Sequence, residues 1–145
     1  MQTQIHIEEA TQEAGEDYAY VLGQLRAYNE SHASHSFVRK RIHLYARNKK
    51  GKIVGGCFAA ITFHTLSIQI LWVEASMRRS GTGKLLLEKV ENIAREMGTI
   101  WSTVETTSFQ ARPFYERMGY KVFADLADSP IGDTCYWLKK RLNKV

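Results

Sequence analysis

Apolar residues fall into runs and periods that mark out the elements. Ile68 to Val73 is a short apolar run of strand length ending at Glu74. Leu86, Val90, Ile93, Ala94 and Met97 then recur at i, i+4, i+7, i+8 and i+11, the period of one buried helix face. Tyr18, Val21, Leu22, Leu25 and Tyr28 repeat in the same way and predict an amphipathic helix over Glu16–Ser31, with Gly23 as its weak point. Alternation and short apolar runs predict strands at Gln4–Glu8, Arg41–Arg47, Lys52–Phe63, Ile100–Thr106, Tyr120–Asp125 and Thr134–Leu142. Asn48–Gly51 reads as a hairpin turn, Gly98 as a helix stop, and Ser108–Gly119 as a short helix with Pro113 near its first turn. Gly55-Gly56 inside a strand predicts close backbone packing or a bulge. The polar stretch Asn29–Ser36 reads as a loop, and its His32 and His35 as solvated side chains rather than metal ligands.

The resulting order is strand, helix, three strands, helix, strand, helix, two strands. A strand-helix-strand crossover from Ile68 to Thr106 demands parallel neighbours, whereas the hairpins demand antiparallel ones, so the sheet is mixed. On the helix after Val73, Lys84 with Glu88 and Glu91 with Arg95 read as exposed i,i+4 pairs.

Composition narrows the class. The 145 residues, 44% hydrophobic, suit one globular domain. Net charge is +5, but residues 1–38 carry −5 and residues 39–145 carry +10, so an acidic opening precedes a basic body suited to a polyanion. The basic residues are scattered over many elements without a nucleic-acid motif, and no nucleic-acid role is expected. Cys57 and Cys135 sit apart in apolar stretches and read as buried thiols of a reducing compartment. No signal peptide is visible at MQTQIHIEEA and the longest apolar stretch, Ile53–Phe63, is about half a membrane span, which predicts a cytoplasmic protein with no membrane partner.

The chemistry concentrates between strand and helix, at Arg78-Arg79-Ser80-Gly81-Thr82-Gly83-Lys84. Glycines let a ligand approach the backbone, the first-turn N–H groups of a helix have no internal acceptor, and arginines add charge, which together make a pyrophosphate cradle. A P-loop needs four residues between its glycines and Ser or Thr after the Lys, whereas here the glycines are one apart and Leu85 follows. A dinucleotide fingerprint needs a small residue where Leu86 stands.

Arg-x-x-Gly-x-Gly at 78–83, preceded by Leu-x-Val at 71–73, resembles the coenzyme A motif of the GNAT superfamily of N-acetyltransferases. Phe109-Gln-Ala-Arg-Pro-Phe-Tyr-Glu-Arg-Met-Gly-Tyr120 is similar to that family's small-helix signature. The resemblance, over about Ile42–Leu142, implies an α/β (α+β) fold: a mixed, predominantly antiparallel central sheet flanked by helices, with a splayed parallel strand pair binding acetyl-CoA. It implies an acetyl-CoA-dependent N-acetyltransferase with no metal, moving an acetyl group to an amine of a small molecule or peptide by direct attack. Leu71, Trp72 and Val73 would line the pantetheine arm, with Val73 N–H on the thioester carbonyl. Arg78, Arg79, Ser80, Gly81, Thr82, Gly83 and Lys84 would hold the pyrophosphate, with Gln110, where many members have Asn, and Phe114 also on the cofactor. Tyr115 matches the general acid. No carboxylate precedes the cradle in Ser67-Ile68-Gln69-Ile70, so the general base is open among Glu74, Glu105 and His64. A non-catalytic acyl-CoA-binding module on the same scaffold and a homodimer are both left open.

Overall fold

A computed structural model describes residues 4–35 and 38–144. The chain divides at residues 36 and 37 into two compact units. In the first, α1 (Glu16–His32) is continuous through Gly23 and buries none of its residues. It runs to His32, past the expected start of the loop, with the His32 ring stacked on Tyr28 at 4.0 Å. The strand expected at Gln4–Glu8 is not formed. Ile5 and Ile7 are 75% and 85% exposed, and alternation makes a strand only where one face finds a surface to cover.

The second unit is a six-stranded sheet with two helices. Its strands are β1 (Lys40–Arg47), β2 (Ile53–Thr62), β3 (Thr65–Val73), β4 (Trp101–Thr107), β5 (Lys121–Ala127) and β6 (Thr134–Arg141), in the order β1-β2-β3-β4-β6-β5. All neighbours are antiparallel except β3 and β4, joined by the crossover through α2 (Thr82–Glu96). The turn between β1 and β2 is closed by Asn48, whose Oδ1 accepts from the N–H of Lys50 and of Lys52 at 2.9 and 3.0 Å. β3 starts at Thr65, three residues before the apolar run, and α3 is only Arg112–Arg117, because Ser108–Ala111 are taken up by the turn leaving β4.

Leu86, Leu87, Val90 and Ala94 of α2 are buried against one sheet face, among Ile42, Cys57, Ala59, Leu66, Ile68, Val104 and Leu138. Complete burial of a side chain such as Leu87 contributes roughly 1.5–3 kcal/mol. Ile93 and Met97 stand at the edge of that core. The helix can lie this close because Gly55 has no side chain: a Cβ there would come within 3.1 Å of Trp72 O and 3.2 Å of Leu86 Cδ1.

Glu91 corrects the sequence reading. It is 1% exposed, and its carboxylate accepts from Lys140 Nζ at 2.8 and 3.1 Å, from Arg95 Nη2 at 3.2 Å and from the Tyr120 hydroxyl at 3.0 Å. Since the Tyr120 proton goes to Glu91, the Ser102 hydroxyl 2.7 Å away must be the donor to Tyr120. Helical spacing showed the pair with Arg95; the partners Lys140 from β6 and Tyr120 from the turn between α3 and β5 come only with the fold. Lys84 and Glu88, 3.8 Å apart and both well exposed, are the surface pair expected.

Glu91→Gln keeps the volume but leaves two cations facing a neutral amide, and should lower stability by about 3 kcal/mol, as for a broken buried ion pair with part-exposed partners. Glu88→Gln should change it by less than about 0.5 kcal/mol. Urea denaturation of the two variants checks the contrast; equal effects would return Glu91 to the surface.

Candidate active site

The β3–β4 ladder has four rungs, from Thr65↔Trp101 to Ile68↔Val104, although β3 continues to Val73 and β4 to Thr107. Beyond the last rung each strand stays with its outer neighbour, β3 with β2 as far as Val73↔Gly55 and β4 with β6 as far as Thr107↔Cys135. Their facing edges therefore part. The parting starts where β3 carries an extra residue: Ile68 pairs with Ala59 and Ile70 with Phe58, so Gln69 is a bulge.

A cleft of about 740 Å³ occupies the opening. Leu71, Trp72 and Val73 form one wall; Phe109, Gln110, Phe114 and Tyr115, from the turn after β4 and from α3, form the other. Gln110 is oriented by its Oε1, which accepts from Thr107 N–H at 3.0 Å. At the end of β3 a 3-10 turn at Ala75–Met77 leads into the cradle. Arg78 Nε donates to Val73 O at 3.1 Å and ties the loop back to the strand. Arg79 and Gly81 have φ of 63° and 86°, and Gly81 caps α2 in the left-handed conformation, where a side chain would be strained. The first intrahelical bond runs from Leu85 N–H to Gly81 O, so the N–H groups of Thr82, Gly83 and Lys84 have no helical acceptor. With Arg78, Arg79 and Lys84 in the same lining, this end fits a pyrophosphate and the strand edge fits an extended amide-containing arm, the two parts of coenzyme A.

Tyr115 is 5% exposed and lines the cleft, packed edge-on against Phe114 and Tyr120 with centroids 5.3 and 5.7 Å apart. Burial, with the Cys57 thiol adding to it, pushes its hydroxyl up to about 12. Burial likewise pushes the Cys57 thiol up to about 11, so it is an inert neighbour and no nucleophile.

Eleven of the sixteen site residues named from sequence line the cleft: Leu71, Trp72, Val73, Arg78, Arg79, Gly81, Gly83, Lys84, Gln110, Phe114 and Tyr115. Ser80 and Thr82 shape the loop instead, Ser80 Oγ donating to Met77 O and lying 2.9 Å from Thr82 Oγ1. Glu74 and Glu105 are outside the lining, as is His64. Glu74 accepts from Lys52 Nζ at 2.6 Å and from Ser76 Oγ at 2.9 Å, and these bonds hold its carboxyl below the usual range. Glu105, exposed, is the first residue of β4 past the last rung, and its Oε1 accepts from Cys135 Sγ at 3.4 Å. His64 sits in the β2–β3 turn at the far end of β3, its carbonyl accepting from Ile100 N–H at 2.8 Å. Sequence reasoning missed Met77, Phe109, Ala111, Pro113 and Arg117. The small-helix signature contains four of them, but helical period alone does not tell which of its side chains turn to the cleft.

Comparison with known proteins agrees with this geometry. Residues 3–120 match the acetyltransferase (GNAT) family. The chain belongs to that family. The GNAT chain is 40% identical to a blasticidin-S acetyltransferase of Streptomyces morookaense over 68% of its length and 73% of that protein's. It is 30% identical to an acetyltransferase of Agrobacterium fabrum, over 81% and 85%. A crystal structure of an acetyltransferase from Bacillus cereus, 32% identical, covers 94% of this chain and 97% of its own with a TM-score of 0.84. An aminoglycoside 6′-N-acetyltransferase solved with coenzyme A, 18% identical with a TM-score of 0.65 over 92% and 84%, shares the fold. This protein is thus an N-acetyltransferase by family, and GNAT acetyltransferases use acetyl-CoA. Among the described residues no cluster of three or more His, Cys, Asp or Glu is placed to hold a metal, and no helix is long and apolar enough to cross a membrane.

A Cβ on Gly83 would meet Phe114 at 3.5 Å and Val73 at 3.7 Å, which is ordinary contact, so alanine fits while the branches of valine press on Phe114 and the strand edge. Gly83→Val should weaken acetyl-CoA binding at least about tenfold and Gly83→Ala only a few-fold, read by calorimetry. Equal affinities for all three proteins would remove this turn from the cofactor site.

Alkaline stability follows from the buried thiol and phenol. Both are raised, Cys57 to about 11 and Tyr115 to about 12, so the native state holds protons that the unfolded chain has already released. Stability should therefore be level below about pH 8.5, the free thiol value, and fall as pH rises through 11 to 12. Denaturant midpoints from pH 8 to 11 for the protein and Cys57→Ala check it: the variant should show the shallower decline.

Proposed function

We propose that this cleft transfers the acetyl group of acetyl-CoA directly to the amine of a small molecule, with Tyr115 as the general acid. The observation that carries the reading is the convergence, in one cleft, of an open strand edge, an anion cradle at its end and a buried tyrosine between them. The choice of a small-molecule acceptor rests on the relative 40% identical to this chain, whose name gives blasticidin S as its substrate.

The chemistry follows from the layout. The pantetheine arm lies along Leu71, Trp72 and Val73 as a strand would, and Val73 N–H polarises the thioester carbonyl as negative charge develops on its oxygen. The amine nitrogen forms its bond to the carbonyl carbon, the carbon–sulfur bond breaks, and the sulfur takes the Tyr115 proton. At about 12, against a free thiol near ~8.5, full transfer from Tyr115 costs roughly 5 kcal/mol. The hydroxyl therefore works as an always protonated hydrogen-bond donor to the departing sulfur, shifting its proton only as the charge matures and recovering it from the amine. No carboxylate or histidine is among the described residues lining the cleft. The amine therefore arrives as the free base or loses its proton through water to Glu105, beside the opening. Glu74, held by Lys52 and Ser76, is the weaker base of the two.

Release of free thiol from acetyl-CoA with a panel of amines beginning with blasticidin S tests the function, and binding of acetyl-CoA without release for any amine would favour the non-catalytic module. Tyr115→Phe removes only the hydroxyl. It should leave acetyl-CoA affinity within a few-fold and lower kcat by roughly 10²-fold, the usual size of a general-acid contribution. The defect should shrink with a thioester whose leaving thiol is more acidic. A kcat that barely moves would make the ring a wall of the site and end the assignment.

A further inference from the structure

The cleft continues beyond the cradle. A second hollow of about 490 Å³ lies between α2, the end of α3 and β6, and it shares Lys84 and Arg117 with the main cleft. Four cations face it, Lys84, Arg95, Arg117 and Lys140, against the two carboxylates of Glu88 and Glu91, a surplus of two positive charges. These cations differ in how they are engaged. Lys140 and Arg95 are pinned by the buried Glu91 carboxylate, at 2.8 and 3.2 Å. Lys84 has only a loose 3.8 Å contact with the exposed Glu88. Arg117, at the last turn of α3, has no hydrogen-bond or ion-pair partner among the described residues. The uncompensated charge thus sits at the junction of the two hollows.

Coenzyme A carries three phosphates: the two of its pyrophosphate and a third on the 3′ oxygen of its ribose. For a pyrophosphate over Gly81–Lys84 with the pantetheine along β3, the second hollow adjoins the cradle at Lys84 and Arg117 and is open to the nucleoside end. We propose that Arg117, with Lys84 beside it, seats the 3′-phosphate at this junction, so that the protein distinguishes coenzyme A from 3′-dephospho-coenzyme A. The site rests on the reading of the main cleft as an acetyl-CoA site. A planar guanidinium with no other partner can meet two phosphate oxygens at once, and it forms these bonds without first giving up an internal one. Glu91 serves the hollow indirectly, holding Lys140 and Arg95 back in its wall and leaving the rim to Arg117 and Lys84.

Calorimetry with the intact chain tests the seat, using coenzyme A and 3′-dephospho-coenzyme A as probes in low salt. Wild type should bind coenzyme A about tenfold more tightly, a gap that narrows with added salt because the rim is open to solvent. Arg117→Ala should close most of the gap by weakening coenzyme A alone, with 3′-dephospho-coenzyme A within about twofold of its wild-type affinity, and Arg117→Lys should recover part of it. Arg117 is exposed, so the variants fold. Equal wild-type affinity for the two probes, or an equal loss of both in Arg117→Ala, overturns the 3′-phosphate seat while leaving the transferase reading in place. Binding of neither probe overturns that reading and the seat with it.

Discussion

One extra residue in β3 governs the site. Gln69 is a bulge against β2, and immediately before it β3 makes its last bond to β4. A parallel pair that stops after four rungs leaves backbone donors and acceptors on both facing edges, and unmet backbone groups need a partner. Water can serve, and so can the amides of an extended ligand lying in the gap. The strands do not collapse back together because each is stitched along its other edge, β3 to β2 and β4 to β6, and because Phe114 and Tyr115 stand in the opening. The cleft is therefore a consequence of sheet pairing, and the aromatic residues of α3 are placed by it.

α2 couples this opening to the cradle. Its first turn carries the unpaired N–H groups, and its later turns are clamped by Leu87, Val90, Ala94 and the Glu91 cluster. Gly55 lets the first turn rest almost on the β2 backbone, so the anion site is held at a fixed distance from the β3 edge. Through Glu91 the same helix is bonded to Tyr120, whose ring packs on Tyr115 and whose N–H donates to Tyr115 O at 3.0 Å. The proposed cofactor seat and the proposed acid thus share one rigid support.

The electrostatics of the cleft follow a single sign. Arginine and lysine surround it, and among the described residues its lining carries no carboxylate and the one deeply buried carboxylate is consumed by Lys140, Arg95 and Tyr120. A polyanion is welcome there, whereas a cationic amine is not attracted to the lining itself. In the proposed reaction the acceptor therefore arrives as the free base or loses its proton at the edge of the cleft, near Glu105.

What could be read directly from the residues was whatever depends on local spacing. The helical period of Leu86 to Met97, the glycines and arginines of 78–83, the turn at Asn48–Gly51 and the small-helix signature around Tyr115 each lie within a dozen residues; the helix and the turn form where expected, the small helix is shorter than expected, and Gly81, Gly83, Arg78, Arg79 and Tyr115 line one cleft. Pairing between distant segments carries no such signature. The failed strand at Gln4–Glu8, the bulge at Gln69, the burial of Glu91 and the turn of Arg117 toward two hollows were all decided by which segment lay opposite. Glu91 shows why: one helical turn before Arg95 it looks like a surface charge, and it becomes a core residue only because β6 brings Lys140 and the turn between α3 and β5 brings Tyr120 to the same point. A carboxylate is buried when cations and donors meet it there, and where they meet is a property of the fold.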